Sequence, residues 1–445
     1  MNTPTINVIG AGLAGVEAAF QAAKQGVHVR LYEMKPKRYS PAHSNPLMAE
    51  LVCSNSLRSD SLENAVGLLK AEMTLLSSIV MEAARATQVP AGSCLAVDRE
   101  GFSKYITDKI SENPLIEVIN EEVVKIPEDE ITVVATGPLT DGEFAKYLQD
   151  YLSTDSLSFY DAAAPIVEKD SIDFSSAFIQ SRWQKGEAAY INCPMTREEY
   201  DIFWRELISA ETAKLHGFEE ENPKVFEGCM PVEVMASRGH DTLLFGPLKP
   251  VGLVDPKTNS EPYAVVQLRQ DNKEGSMYNI VGFQTHLTFP EQKRVFGLIP
   301  ALRNASFLRY GVMHRNTFID SPRLLNRFYQ LKKNEKVFFA GQMTGVEGYL
   351  ESASSGLLAG LYAAKLAKNE SFIEFSNDTA IGALATYISD ESVVKFQPMN
   401  VNFGIIRPLD TRVKGGKSAR NAAISQRALQ TLERIIKENQ DASYN

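Results

Sequence analysis

A short β-branched run, Thr5–Ile9, leads directly into Gly10-Ala11-Gly12-Leu13-Ala14-Gly15 and then into residues 16–20 (VEAAF), which have helical composition. Strand, glycine turn and helix in immediate succession make G-x-G-x-x-G a nucleotide-binding fingerprint rather than a chance spacing. Gly10 permits the tight turn, Gly12 lets backbone approach a pyrophosphate, and Gly15 lets the helix pack closely on the strand. The first N–H groups of that helix, with its partial positive charge, favour an anion there. A second apolar run, residues 27–32, ends at Glu33, where a carboxylate is placed to take ribose hydroxyls.

A related pattern recurs far along the chain. Residues 337–340 (VFFA) read as a buried strand and are followed by a glycine turn carrying Gly341, Gly345, Gly348 and Tyr349. Residues 351–360 (ESASSGLLAG) then read as a small-residue helix able to lie close to a ligand. This arrangement resembles the flavin-ring contact of two-dinucleotide-fold flavoproteins and so implies FAD rather than NAD. The helix N-terminus near Gly348 would sit by the N1–C2=O edge of the flavin, where the reduced ring carries negative charge. Residues 132–137 (TVVATG), with Thr136 and Gly137 at the turn, read as a further strand of the same sheet.

The expected fold class is therefore α/β. A Rossmann-like FAD-binding domain of the two-dinucleotide-fold type occupies residues 1–165 and 325–445, and a smaller α+β insertion domain, residues 166–324, interrupts it. At 445 residues the chain is long enough for both. Within the insertion, residues 196–210 form an amphipathic helix pattern, with Thr196 as N-cap and Glu199 at N3. Residues 263–268 and 278–283 read as strands joined by a polar turn. The insertion holds no second G-x-G-x-x-G, so NADH or NADPH would visit the flavin without a Rossmann site of its own.

No apolar run reaches the ~18 residues of a membrane span, and the first strand begins too early for a signal peptide, so a cytoplasmic protein is expected. The four cysteines, Cys53, Cys94, Cys193 and Cys229, show no C-x-x-C and no metal-like spacing with the six histidines; no metal is expected. The net charge of −9 argues against nucleic acid on average, yet a local patch departs from it. Residues 407–427 carry six basic side chains (Arg407, Arg412, Lys414, Lys417, Arg420, Arg427) and one acid, Asp410. The patch is either a solvated basic face or a phosphate contact. A weaker group comprises Arg309, His314, Arg315 and Arg323.

Two cysteines invite a chemical reading. Cys53 lies in AELVCSNSLR, with hydroxyl and amide donors after it and Arg58 nearby. Cys229 lies in FEGCMPVE, held by Gly228 and Pro231 on a constrained turn. Donors or cations beside a thiol favour the thiolate, whereas an inert buried thiol is the default for an unpaired cysteine. Context alone leaves both readings open for this pair, and Cys94 and Cys193 take the default.

The segments NVIGAGLAGVEAA, CSNSLRSD, VDREGFS, VVATGPLT, FEGCMPVEVMASRG, MHRNTFIDSPRLL, FFAGQMTGVEGYLESASSG and NVNFGIIRPL together resemble, along essentially the full chain, the folate- and FAD-dependent tRNA (uracil-5-)-methyltransferase family (TrmFO). The related GidA flavoproteins, which modify wobble uridines, share the flavin segments but are longer. The resemblance implies formation of 5-methyluridine at position 54 of the tRNA T loop, with carbon from 5,10-methylenetetrahydrofolate and electrons from NADH or NADPH through FAD. It also implies catalytic roles for Cys53 and Cys229. Uracil C5 is a poor nucleophile until a thiolate adds to C6, and a second thiol can serve as the base that removes the C5 proton. The assignment leans to Cys229 as nucleophile and Cys53 as acid–base partner.

Other positions carry two readings each. Asp98 and Arg99 either contact FAD or cap a helix. His314 and Arg315 either bind folate glutamate or a tRNA phosphate, or pair with Asp320. Tyr349 and His286 are candidates for a lid over the pterin. The target base must leave its stack to reach a buried flavin, which makes Arg407, Arg412, Lys414, Lys417 and Arg420 the preferred tRNA contact. Protein partners are left open by the sequence. The alternatives are an NAD(P)H-dependent flavin oxidoreductase without RNA, a tRNA-binding flavoprotein without transferase activity, and a GidA-like wobble-uridine modifier.

Overall fold

The computed structural model describes residues 3–442 apart from 41, 128, 154–156, 163, 185–186, 214–229, 312 and 394–395; for 157–162, 313–315 and 440–442 only the backbone is described. The first sheet runs in the order Gln330–Leu331, Asn334–Phe339, Thr132–Val134, Thr5–Ile9, His28–Tyr32, Ile116–Ile119. All neighbours are parallel except the edge pair Gln330–Leu331 with Asn334–Phe339. Chain order reverses on either side of Thr5–Ile9, so the C-terminal ends of Thr5–Ile9 and Thr132–Val134 open onto a topological switch point. In an open α/β sheet, that is where a ligand binds.

Helices cover this sheet, and two of them meet without side chains between them. The helix Leu13–Lys24 starts from the glycine turn, and the helix Tyr349–Ala367 follows the second one. A Cβ on Gly356 would lie 2.1 Å from the Ala14 carbonyl oxygen, and one on Gly360 would lie 2.2 Å from that of Ala18. The small residues at 356 and 360 therefore serve helix–helix approach; the sequence pattern alone had suggested approach to a ligand.

A second sheet, all antiparallel, has the order Phe178–Ile179, Tyr190–Met195, Ala264–Gln270, Met277–Ile280, Ile166–Glu168, Phe307–Arg309. Its core includes Val167, Phe203, Val266, Phe283 and Phe296 and is separate from that of the first sheet. The helix Arg197–Ile208 packs there behind a complete capping box between Thr196 and Glu199. The chain passes between the two units through two strands, 157–162 and 313–318, paired antiparallel. Phe318 and Ile319 already belong to the first core.

The glycine contact between the two helices gives a direct test. Gly360→Val should lower the unfolding free energy by about 2–3 kcal/mol, the scale of overpacking. A denaturant titration with an unmoved midpoint would show that the helices can part without cost.

Candidate active site

The glycine turn is built by exclusion of Cβ atoms. Gly10 has φ +97°, and a Cβ on Gly15 would lie 1.7 Å from the Gly10 carbonyl oxygen. On the ligand side the opposite holds: a Cβ on Gly12 or Gly137 would meet no atom within 4 Å. Gly12 borders a cavity that is also lined by Gly10, Ala11, Glu33, Lys35, Ser40, His43 and Thr136 among others. Leu13, Ala14 and Gly15 are buried in the first turn of the helix behind it. Glu33 is buried, and its two oxygens accept from the backbone N–H of Ala11 and of Lys35, each at 2.9 Å. Space beside glycine backbone, a helix N-terminus and a fixed carboxylate fit the pyrophosphate and ribose of FAD.

Lys35 and Glu50, which line this cavity, form a buried charge pair. Lys35 donates to the carbonyls of Asn45 and Leu47 and lies 3.9 Å from Glu50, both side chains almost fully buried. Burial lowers the Lys35 pKa, and Glu33 and Glu50 oppose that shift. His43, hydrogen-bonded to Ser40 at 2.5 Å, also has its pKa pushed down by burial and by the Lys35 cation.

The second glycine turn carries positive φ at Gly341, Gly345 and Gly348. Residues 396–402 dock against it. Phe396 fills the space beside Gly345, the Glu347 N–H donates to the Met399 carbonyl at 2.9 Å, and Asn400 donates to the Glu347 carbonyl at 2.6 Å. Glu351, with no exposed side-chain surface, pairs with Arg58 and accepts from the Val401 N–H at 3.0 Å. Gly348 is the N-cap of the helix Tyr349–Ala367.

Tyr349 leads from that helix to Cys53. Its hydroxyl oxygen accepts from the backbone N–H groups of Cys53 (2.7 Å) and Ser54 (3.1 Å). From the other side Arg99 donates to the Leu51 carbonyl and forms a bidentate pair with Asp271 at 2.9 and 3.1 Å. Asp271 is fully buried and lies just past the strand Ala264–Gln270 of the second sheet. Burial lowers the Arg99 pKa, and the Asp271 carboxylate together with Tyr349 and Cys53 turns this into a net rise. Asn55 donates to the carbonyls of Val97 and Gln270, each at 2.9 Å, and Arg269 holds Asn55 and Ser54. The Cys53 segment is thus clamped at the seam between the two units.

Several sequence candidates lie elsewhere. Asp98 caps the helix Arg99–Ser111 and accepts from the Lys273 N–H, which matches its capping reading. His286 donates through its backbone, and pairs through Nδ1 at 2.6 Å, with Glu233 of the second unit; Glu233 also accepts from Thr285. Arg407 is engaged by Asp378 and Asp410, while Arg412, Lys414, Lys417 and Arg420 are exposed and make no ion pair among the described residues. Cys193 is fully buried, which pushes its thiol pKa up. Cys229 and the side chains of His314 and Arg315 lie outside the described residues. Sequence reasoning missed Lys35, Glu50, Asp271, Arg269 and Glu351. Asp271 lay in a stretch read only as a polar turn, and Glu50 stood in the quoted Cys53 context without a role.

Comparisons with known proteins converge. The family model described as glucose inhibited division protein A matches residues 5–371. A methylenetetrahydrofolate–tRNA-(uracil-5-)-methyltransferase TrmFO of Acetivibrio thermocellus is 61% identical over 431 residues, covering 97% of this chain and 98% of its own. A protein of the same name from Ligilactobacillus salivarius is 57% identical, covering 99% of this chain and 100% of its own. Among solved structures, Aquifex aeolicus GidA aligns with a TM-score of 0.69 at 17% identity, covering 98% of this chain and 76% of that one.

Tyr349→Phe leaves two partly buried N–H groups without their acceptor. Hydrogen exchange at Cys53 and Ser54 should speed up about tenfold or more, as the loss of one modest hydrogen bond implies. Unchanged exchange at both amides would show that the clamp does not depend on the phenol.

Proposed function

The chain belongs to the glucose inhibited division protein A family, and we propose that within it this protein is a methylenetetrahydrofolate-dependent tRNA (uracil-5-)-methyltransferase acting on uridine 54 of the T loop. The observation that carries this reading is identity of 57–61% over nearly the whole of both chains to enzymes of that name. The glycine turns, the cavity and Glu33 fit FAD. When bound, FAD supplies the reducing electrons for the one-carbon unit, drawn in turn from NADH or NADPH.

The chain's own residues then divide the work on uracil. The Cys229 thiolate adds to C6 and makes C5 nucleophilic. C5 attacks the one-carbon unit of methylenetetrahydrofolate, and Cys53 takes the C5 proton as general base as the bond from that carbon to the folate nitrogen breaks and tetrahydrofolate leaves. Once the exocyclic methylene has been reduced by a hydride, the Cys229 thiolate leaves C6. The Cys53 backbone is held by Tyr349 from the first unit, with Arg99 and Asp271 at the seam. Arg412, Lys414, Lys417 and Arg420 supply phosphate contacts to the T arm. No helix among the described residues is long and apolar enough to cross a membrane, and a tRNA substrate places the work in the cytoplasm.

The activity is tested by incubating the purified yellow protein anaerobically with an unmodified tRNA transcript, NADPH and methylene-labelled methylenetetrahydrofolate, followed by nucleoside mass spectrometry. Labelled 5-methyluridine at position 54 is expected, and its absence despite flavin reduction would favour a plain flavin oxidoreductase. Cys53→Ala and Cys229→Ala should each abolish the label. Reversing the charge of Lys414, Lys417 and Arg420 should weaken tRNA binding and flatten its salt dependence with flavin content intact.

A further inference from the structure

The seam around Cys53 is rich in cations, and almost all of them are occupied. Arg99 is taken by Asp271 and the Leu51 carbonyl. Lys35 is taken by Glu50 and two carbonyls. Arg58 is taken by Glu351, and Arg269 by Asn55 and Ser54. Arg309 is the exception. It ends the strand Phe307–Arg309 of the second sheet and reaches across to Ala42, whose neighbours Ser40 and His43 line the cofactor cavity. Among the described residues the one hydrogen bond of its guanidinium is to the Ala42 carbonyl at 3.5 Å, the outer limit of such a contact, and no carboxylate of those residues lies within ion-pair distance of it.

A half-buried guanidinium with its five donors nearly unused is costly. Burial and the Arg99 cation push its pKa down, and Tyr349, Glu50 and Asp271 only partly offset this. Its side chain therefore stands among the groups that hold Cys53 and the cofactor cavity, with its charge unmet. Guanidinium groups pair with planar or tetrahedral oxyanions through two parallel N–H donors, and the tRNA and the folate of the proposed reaction both carry such groups.

We propose that Arg309 is an anion-binding residue of the active-site cleft, receiving an oxyanion of a substrate: a phosphate flanking the target uridine or a carboxylate of the folate tail. The proposal rests on the activity reading above and deepens it by assigning a residue of the insertion unit to substrate capture.

The test uses the full-length holoenzyme. Wild type is first assayed for labelled 5-methyluridine, so that failure of the activity reading is recognised before Arg309 is changed. Arg309→Gln and Arg309→Lys are then compared by flavin content, thermal midpoint, affinity for a tRNA transcript over a salt series, and KM for methylenetetrahydrofolate. Flavin content should be unchanged, and the midpoint of Arg309→Gln should equal or exceed that of wild type, because an unmet charge has been removed. One ligand alone should weaken by about ten- to hundredfold, the scale of a charged hydrogen bond, with partial recovery in Arg309→Lys. A loss confined to tRNA, with its salt slope reduced by about one, identifies a phosphate. A rise confined to the folate KM identifies a carboxylate. Unchanged values for both ligands, loss of flavin, or a lowered thermal midpoint would each overturn the assignment.

Discussion

The close approach of backbone to backbone at a few glycines is what the rest of this structure depends on. The first helix is held between two neighbours through missing Cβ atoms, at Gly15 against the Gly10 carbonyl and at Gly356 and Gly360 against Ala14 and Ala18. These contacts fix the first helix both on its strand and against the helix Tyr349–Ala367. Two glycine turns more than three hundred residues apart are thereby brought together, so that a Cβ on Gly341 would lie 3.1 Å from the Ala14 Cβ. A single methyl group at any of these points would have to displace backbone, and interiors packed near crystal density have little slack for that.

The second unit is tied to this frame by charge and polar contacts. Arg99 and Asp271 are both largely buried, and a buried ion pair offers little net stability over apolar packing once desolvation is counted. Its value lies in direction. A bidentate guanidinium–carboxylate pair tolerates little sliding or rotation, and the same guanidinium holds the Leu51 carbonyl two residues before Cys53. Asn55 and Arg269 repeat the arrangement two residues after it. The thiol thus sits on a segment whose flanks are both referenced to the insertion unit, while its own N–H is referenced to Tyr349 of the first unit.

What the sequence disclosed follows from the range of the interactions involved. The glycine turns, Glu33 and the capping box at Thr196 and Glu199 were legible because each depends on residues within a few positions or on a fixed strand–turn–helix spacing. The pairing of Arg99 with Asp271 was not, because 172 residues separate them and nothing local distinguishes Asp271 from any turn aspartate. Arg407 shows the same limit in reverse. Counting within residues 407–427 found one acid, Asp410, yet Asp378 is also on Arg407 and lies within 3.5 Å of Arg427. Part of the apparent basic patch is therefore internal structure, and its exposed portion is Arg412 to Arg420.

The division between met and unmet cations organises the molecule's electrostatics. With a net charge of −9 the average field repels a polyanion, so attraction must be local, and free charges act over about 8–10 Å before salt screens them. The exposed cations at 412–420 suit first contact, since solvent leaves their strength modest and their geometry loose. The paired cations at the seam are neutralised by their partners and act as walls that set the position of Cys53. Arg309 stands between these classes: buried enough that a charge partner matters, and unpaired enough to need one. Its place between Ala42 and the insertion sheet makes the cleft a product of both units, one bringing cofactor cavity and thiol, the other an unmet positive charge.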